Sequence, residues 1–244
     1  MWDQNYAYSE LPSDEETAEE LEFISRVLEL EEGAVILDLC CGQGRHSAGL
    51  ANMGYSVIGL DSSRTLLGLV EKETPQLWLV EGDMRNIPIR KGTCDAAINL
   101  FTSFGFFDDA GNLQVLESVA SVLKPGGKFL LDYWNPYMAA HLDGTRNWWW
   151  ITDSLLALAE AQYDFSTGRL RDLRTIVDVE KSSVENAVRE VRFYALPELE
   201  KMLEEAGLHV LEIYGDIDER EYDGESRRLI TVSMLDVEHR VSSI

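Results

Sequence analysis

Between Ala34 and Asp132 short apolar runs alternate with stretches of helical length, and this rhythm constrains the fold more than any other feature. The runs Ala34–Leu39, Ser56–Leu60, Leu77–Val80, Ala96–Leu100 and Lys128–Asp132 are apolar at most successive positions and bounded by turn residues. That pattern suits strands covered on both faces, which belong in parallel sheets. Between them, Arg45–Met53, Thr65–Glu73 and Gly111–Leu123 read as helices, and Lys124-Pro125-Gly126-Gly127 turns into the last run. Ahead of them, Ser13-Asp14-Glu15-Glu16 has the form of a capping box before Leu21, Ile24, Val27 and Leu28, with a stop near Gly33. Right-handed crossovers would wind such a chain into an open α/β sheet with helices on both faces.

After Asn135 the rhythm changes. Trp148–Leu158, Ala159–Phe165, Gly168–Val179 and Val188–Leu196 read as consecutive strands joined by turns such as Ser166-Thr167-Gly168, which predicts an antiparallel β insertion. Pro197 then opens a helix to Ala206, and His209–Tyr214 and Leu229–Leu235 are the closing strands. The expected division is a core of residues 1–137 and 197–244, with residues 138–196 as an insertion on the substrate side or at a dimer contact.

A chain of 244 residues with 45% hydrophobic side chains can hold one domain plus an insertion. Asp and Glu number 44 against 21 Lys and Arg, a net charge of -23. No basic run is longer than the pair Arg227-Arg228, so the footprint a nucleic acid needs is missing. Cys40, Cys41 and Cys94 are odd in number and two are adjacent, which gives neither a disulfide framework nor a metal-ligand spacing. Met1 to Glu20 lacks the basic start and apolar stretch of a secretory signal, and no apolar segment approaches the roughly 20 residues of a membrane span. A cytoplasmic protein without a metal centre is the expectation.

The segment Asp38-Leu39-Cys40-Cys41-Gly42-Gln43-Gly44-Arg45-His46 lies between the first buried run and the helix that follows. Its glycines let backbone approach a ligand, and the helix start beyond offers unpaired N–H groups. Asp61 ends the second run, 19 positions after Gly42, where a carboxylate can accept the two hydroxyls of an adenosine ribose. A dinucleotide is less suited: its fingerprint wants glycine where Ser47 stands, and Asp38 would repel a pyrophosphate while favouring an ammonium group. The competing reading is that Asp38 and Asp61 only cap helices.

With these residues in view, the chain resembles a class I S-adenosylmethionine-dependent methyltransferase along nearly its whole length. The resemblance rests on Ile36-Leu37-Asp38-Leu39-Cys40-Cys41-Gly42-Gln43-Gly44, Val57-Ile58-Gly59-Leu60-Asp61-Ser62-Ser63, Glu81-Gly82-Asp83-Met84-Arg85 and Leu123-Lys124-Pro125-Gly126-Gly127. It implies a Rossmann-like, seven-stranded, mostly parallel sheet whose last strand is antiparallel, with S-adenosylmethionine as cofactor. It further implies that Asp38, Cys40 and Gly42 line the methionine moiety, that Asp61 holds the ribose, and that Asp83 and Met84 flank the adenine, with Gly44 and Ser62 also among the cofactor-binding residues. Cys40 replaces the family's usual first glycine of this loop; Cys40 and Cys41 read as packing residues rather than nucleophiles.

Asn99-Leu100-Phe101-Thr102-Ser103-Phe104-Gly105 ends the fourth run at the edge where ligands sit in open α/β sheets, so Asn99, Leu100 and Phe101 join the expected cofactor residues. Phe106 and Phe107 fit a pocket wall or simple core equally well. Methyl transfer from a sulfonium requires alignment and exclusion of water but no obligatory catalytic side chain. His46, Asp132 and Tyr133 are candidates for a base by position alone, with a packing role the alternative for His46.

A small-molecule acceptor with an N or O nucleophile is expected, together with a homodimer through the insertion. An NAD-dependent oxidoreductase and a non-catalytic S-adenosylmethionine-binding module are the alternatives. Strand alternation puts Trp148 and Trp150 on one face and Trp149 on the other. Arg146, Arg169, Arg171, Arg174, Arg189 and Arg192 concentrate positive charge in the insertion, either for cross-strand pairing with acids or to attract a carboxylate. Asp216-Ile217-Asp218-Glu219-Arg220 lacks the spacing of a calcium loop and is a candidate lid over the acceptor.

Overall fold

The computed structural model describes residues 12–70 and 74–236. Helix α1 spans Asp14–Leu28, and its capping box is formed: Glu16 N–H donates to the Ser13 hydroxyl at 3.2 Å while Ser13 N–H donates to the Glu16 carboxylate at 2.8 Å. There follow β1 (Val35–Leu39), α2 (Arg45–Asn52), β2 (Ser56–Asp61), α3 (Arg64–Leu67), β3 (Leu77–Glu81), β4 (Cys94–Asn99), α4 (Asp109–Val122) and β5 (Leu123–Trp134). After β5 come α5 (Pro136–Ala140), β6 (Arg146–Trp150), β7 (Leu155–Asp164), β8 (Arg169–Asp178), β9 (Ser183–Arg192), α6 (Leu196–Glu205), β10 (Leu208–Tyr214) and β11 (Arg228–Leu235).

Seven strands form one sheet in the order β10-β11-β5-β4-β1-β2-β3, in which β11 runs antiparallel to both neighbours and β1 to β5 are mutually parallel. The expected mixed α/β sheet with an antiparallel last strand is therefore present. Its central strands are buried on both faces, so their alternate residues enter two cores. Leu37, Leu39, Ala97, Phe129 and Leu131 pack with Val115, Val119 and Leu199 on one side, while Ile36, Val57, Ile98 and Leu130 pack with Phe23, Ile24 and Val27 on the other. Strand order reverses between β1 and β4, which opens a crevice at their carboxyl ends.

A second, four-stranded antiparallel sheet, β6-β7-β8-β9, spans Arg146–Arg192. Its first turn differs from the sequence expectation. Leu158 and Ala159 lie inside β7, and the chain reverses at 151–154, where Ile151 N–H donates to the Leu155 carbonyl at 2.8 Å and the Thr152 hydroxyl accepts from Leu155 N–H at 3.1 Å. Thr152, Asp153 and Ser154 supply turn chemistry that the apolar run on either side obscures. The last insertion strand begins at Ser183 and ends at Arg192, rather than running from Val188 to Leu196, because its full length pairs with β8.

The helix expected over Thr65–Glu73 is a single turn, Arg64–Leu67, capped by the Ser63 hydroxyl; Glu71 to Glu73 lie outside the described residues. Short α5 escaped the sequence reading, although Asn135-Pro136 is a cap followed by proline at the first helical position. Among the described residues no helix is long and apolar enough to cross a membrane.

Candidate functional site

Loops at the carboxyl ends of β1 to β4, joined by β9, enclose a cleft of about 480 Å³, within the size range of small-molecule and cofactor sites. The β1 loop contributes Cys40 and Gly42, and β2 contributes Asp61, Ser62 and Ser63. Gly82, Asp83 and Met84 follow β3, Ser103, Phe106 and Phe107 follow β4, and Arg189 and Glu190 come from the insertion.

Asp61 organises the near wall. One of its carboxylate oxygens accepts Gly42 N–H at 2.9 Å and the other accepts Ser63 N–H at 2.8 Å. Gly42 and Gly44 have φ of 56° and 76°, and Cys40 joins them in the left-handed region at 62°, so the turn is tight along its length. The Cys40 thiol points at the Met84 sulfur, 3.6 Å away. Burial pushes the Cys40 and Cys41 thiols far up, with the Asp38 and Asp61 carboxylates adding to the effect, which makes both poor nucleophiles. On the opposite rim Arg85 pairs with Asp83 at 2.6 Å and holds its carboxyl below the usual range, while the same guanidinium lies 4.2 Å from the centre of the Phe107 ring.

Of the residues expected to bind cofactor, the cleft brings together Cys40, Gly42, Asp61, Ser62, Asp83 and Met84. Asp38, Gly44, Asn99, Leu100 and Phe101 stand behind it. Asp38 is buried, accepts a short hydrogen bond from the Ser47 hydroxyl, and has its pKa raised by that burial. Asn99 donates from its side chain to the Leu39 carbonyl at 3.0 Å, which ties β4 to the start of the β1 loop. Leu100 packs in the core against α1. Phe101 lies under the guanidinium groups of Arg45 and Arg228, 4.5 and 5.4 Å from its ring centre.

The three candidate bases also lie outside the cleft lining. His46 is buried against α1, where its Nε2–H donates to Glu20 at 2.9 Å. Asp132 accepts Phe101 N–H at 3.1 Å and pairs with Arg228 at 3.2 Å. Tyr133 stacks on Phe193 and donates its hydroxyl to the Tyr194 carbonyl at 2.6 Å, and burial holds its pKa well above the ordinary value. It is a core residue that anchors the end of the insertion.

His46, Asp132, Glu20, Arg45 and Arg228 form one buried charge network, with Glu20 accepting from Arg45 at 2.6 Å and Arg228 at 3.1 Å. Ile217 packs beside it and Asp216 faces Arg228 at 3.6 Å, so the loop considered as a lid is docked near α1 instead.

Sequence reasoning left two cleft features open. Phe106 and Phe107 line the cleft, whereas Phe104 is core. The insertion arginines divide: Arg146, Arg169, Arg171, Arg174 and Arg192 pair with Glu160, Glu190, Glu190, Asp172 and Glu198, while Arg189 faces the cleft. The inward position of Val191, two residues on, is the signal that could have separated Arg189 from the others. Among the described residues no cluster of His, Cys, Asp and Glu could hold a metal ion.

Comparison with known proteins shows what this chain is similar to. Residues 36–127 match the methyltransferase domain. An uncharacterized methyltransferase of Synechocystis sp. is 35% identical over 104 residues, which cover 43% of this chain and 49% of the relative, so the chain spans about half of that relative's length. Among solved structures, the CcbJ methyltransferase from Streptomyces caelestis superposes with a TM-score of 0.79 at 20% identity over 95% of both chains. The S-adenosylmethionine-bound amino pentose methyltransferase CalS10 from Micromonospora echinaspora gives 0.69 at 20% identity, over 96% of this chain and 95% of that one. Residues 36–127 thus match the methyltransferase domain family, and the chain shares the fold of S-adenosylmethionine-dependent methyltransferases.

Proposed function

We propose that the chain binds S-adenosylmethionine in the cleft and transfers its methyl group to a nitrogen or oxygen of a small molecule by in-line displacement. The observation that carries this reading is Asp61. Its two oxygens each accept one backbone N–H, which fixes the carboxylate at the cleft edge and leaves lone pairs for the two hydroxyls of a ribose. The donor set fits the cofactor: a carboxylate for the ribose, Asp83 and Met84 for the adenine, and a tight turn at Cys40 and Gly42 for the methionine portion. Asp38, Gly44, Asn99, Leu100 and Phe101 act in this reading from behind, by holding the β1 and β4 loops in shape.

When bound, the cofactor supplies a sulfonium-activated methyl electrophile. The chain's own work is to orient the acceptor and exclude water, and Met84, Phe106 and Phe107 give the cleft an apolar wall suited to both. No side chain of the cleft is assigned as a base, because an acceptor that arrives deprotonated needs only alignment. The fold shared with an amino pentose methyltransferase supports a small-molecule acceptor.

Calorimetric titration with S-adenosylmethionine, S-adenosylhomocysteine and NADH tests the cofactor. Micromolar binding of the two sulfur ligands without NADH is expected; NADH binding alone would replace the reading with a dehydrogenase. Transfer of a labelled methyl group to members of an acceptor panel separates an enzyme from a binding module.

The outer face of the insertion supports a homodimer as part of this reading. Trp148, 63% exposed, and Trp150, 50% exposed, share that face with exposed Leu158, Val184 and Val188, an apolar patch of the kind that marks a protein contact. Light scattering should give a dimer mass that Trp148→Lys reduces to the monomer; a monomeric wild type would remove this part of the proposal.

A further inference from the structure

Resting on the reading above, we propose that Arg228, at the start of the last strand, is a positioning residue for methyl transfer: by pinning Asp132 and Phe101 it holds the strained turn that delivers Ser103 and Phe106 to the cleft. The strain is in the backbone. Phe101 and Thr102 have φ of 59° and 57°, a left-handed conformation that non-glycine residues seldom adopt and that is an outlier for a β-branched side chain. Such backbone persists only where the surrounding contacts over-determine it. Ser103, the next residue, lines the cleft, as do Phe106 and Phe107 beyond it, so the direction in which this pair leaves β4 sets one cleft wall.

The contacts that hold the pair converge on Asp132. Its carboxylate accepts Phe101 N–H at 3.1 Å and its backbone carbonyl accepts Thr102 N–H at 3.2 Å, while the Thr102 hydroxyl accepts Trp134 N–H at 3.2 Å. Asp132 is 4% exposed, and a carboxylate that deep is stable only when paired. Arg228 is its counterion. One Nη donates to the same Asp132 oxygen at 3.2 Å, the other donates to Glu20 at 3.1 Å, and the guanidinium carbon stands 5.4 Å from the centre of the Phe101 ring. Topology explains how the last strand reaches this turn. Because β11 runs antiparallel to β5, with Arg228 beside Trp134, its first residue arrives at the carboxyl edge where the cleft opens. A planar guanidinium can bridge two carboxylates and lie against a ring at once, which the point charge of a lysine cannot. A merely structural Arg228 would contribute stability and leave the turn and the cleft unchanged.

Backbone carbon shifts and amide to α-proton couplings of isotopically labelled protein report the sign of φ at Phe101 and Thr102, and calorimetry reports S-adenosylhomocysteine affinity. Both are read in the wild type, Arg228→Lys, Arg228→Met, the double variant Arg228→Met with Thr102→Gly, and Leu203→Ala, a core change in α6. The wild type should show positive φ at both residues. Arg228→Met should lose it and bind S-adenosylhomocysteine roughly fivefold or more weakly, with Arg228→Lys in between. Glycine adopts left-handed backbone without strain, so Thr102→Gly should recover at least half of the lost affinity on a logarithmic scale. Leu203→Ala should change neither reading. If Arg228→Met does not fold, Arg228→Lys, alone and with Thr102→Gly, carries the same comparison. Absence of positive φ in the wild type overturns the proposal, as do positive φ and affinity within twofold of wild type in both Arg228 variants. Weaker binding with φ unchanged, no recovery with glycine, or an equal loss in Leu203→Ala also overturns it. Failure of the wild type to bind S-adenosylhomocysteine would instead overturn the cofactor reading, and the spectra would still decide whether Arg228 holds the turn.

Discussion

Gly42 donates its backbone N–H to a carboxylate oxygen of Asp61 at 2.9 Å, so the glycine turn after β1 and the acid at the end of β2 form one rigid unit. The acid therefore shapes the loop as well as offering lone pairs to a ligand.

Asp61→Ala removes both functions. Loss of charge-assisted hydrogen bonds worth about 1.5–3 kcal/mol should weaken S-adenosylhomocysteine binding roughly ten- to hundredfold. Calorimetry on folded variant checks it, and an unchanged affinity would place the ribose elsewhere.

Gly105→Ala tests the docking of the insertion. The added β-carbon would meet a backbone oxygen, and the glycine has φ of 98°, so the alanine is strained twice over. Destabilisation of about 1–3 kcal/mol in urea unfolding is expected, with faster hydrogen exchange at Arg192 N–H. Unaltered exchange there would mean that β9 is held by its other contacts.

Tyr133→Phe separates a core tyrosine from a base. The hydroxyl donates to the Tyr194 carbonyl inside the core, and removing it leaves that acceptor unpaired. Stability should fall by about 1–3 kcal/mol while S-adenosylhomocysteine affinity and the pH profile of methyl transfer stay as in the wild type. A flattened alkaline limb in that profile would restore Tyr133 as a base.

Glu20 makes stability depend on pH. Burial works to raise its pKa, but hydrogen bonds from His46 and Arg45 outweigh it and bring the value from 4.5 down to about 2. A carboxyl depressed on folding contributes stability that is fully present above the unfolded value and is lost as pH falls toward the folded one. Glu20→Gln should therefore cost roughly 3–5 kcal/mol near neutrality, since it takes the carboxylate from Arg45 and removes one of the three acids that face Arg228, and the gap to wild type should narrow below pH 4.5. Denaturant unfolding at a series of pH values reads both; a gap independent of pH would assign the loss to packing.

Local pattern was enough to determine the order of strands and helices up to Asp132, because a strand covered on both faces must be apolar at consecutive positions and its neighbours must punctuate it. The glycine turn and Asp61 were legible for a similar reason: their spacing is set by one strand, one helix and two turns. What local pattern leaves undecided is which side chains meet across the fold. Leu158 and Ala159 read as a break because apolar runs flank the true turn at 151–154 on either side and obscure it, and pairing with β8 decided their place. Tyr133 and Phe101 stand beside the cleft in sequence but face other neighbours, since sheet alternation and the left-handed backbone at Phe101 and Thr102 redirect them. Alternation with Val191 puts Arg189 on one face of β9, but its arrival at the cleft is decided only when β9 docks at Gly105. Only tertiary structure brings a residue 87 positions away onto the Thr102 carbonyl, because that contact depends on a backbone approach no local signal encodes.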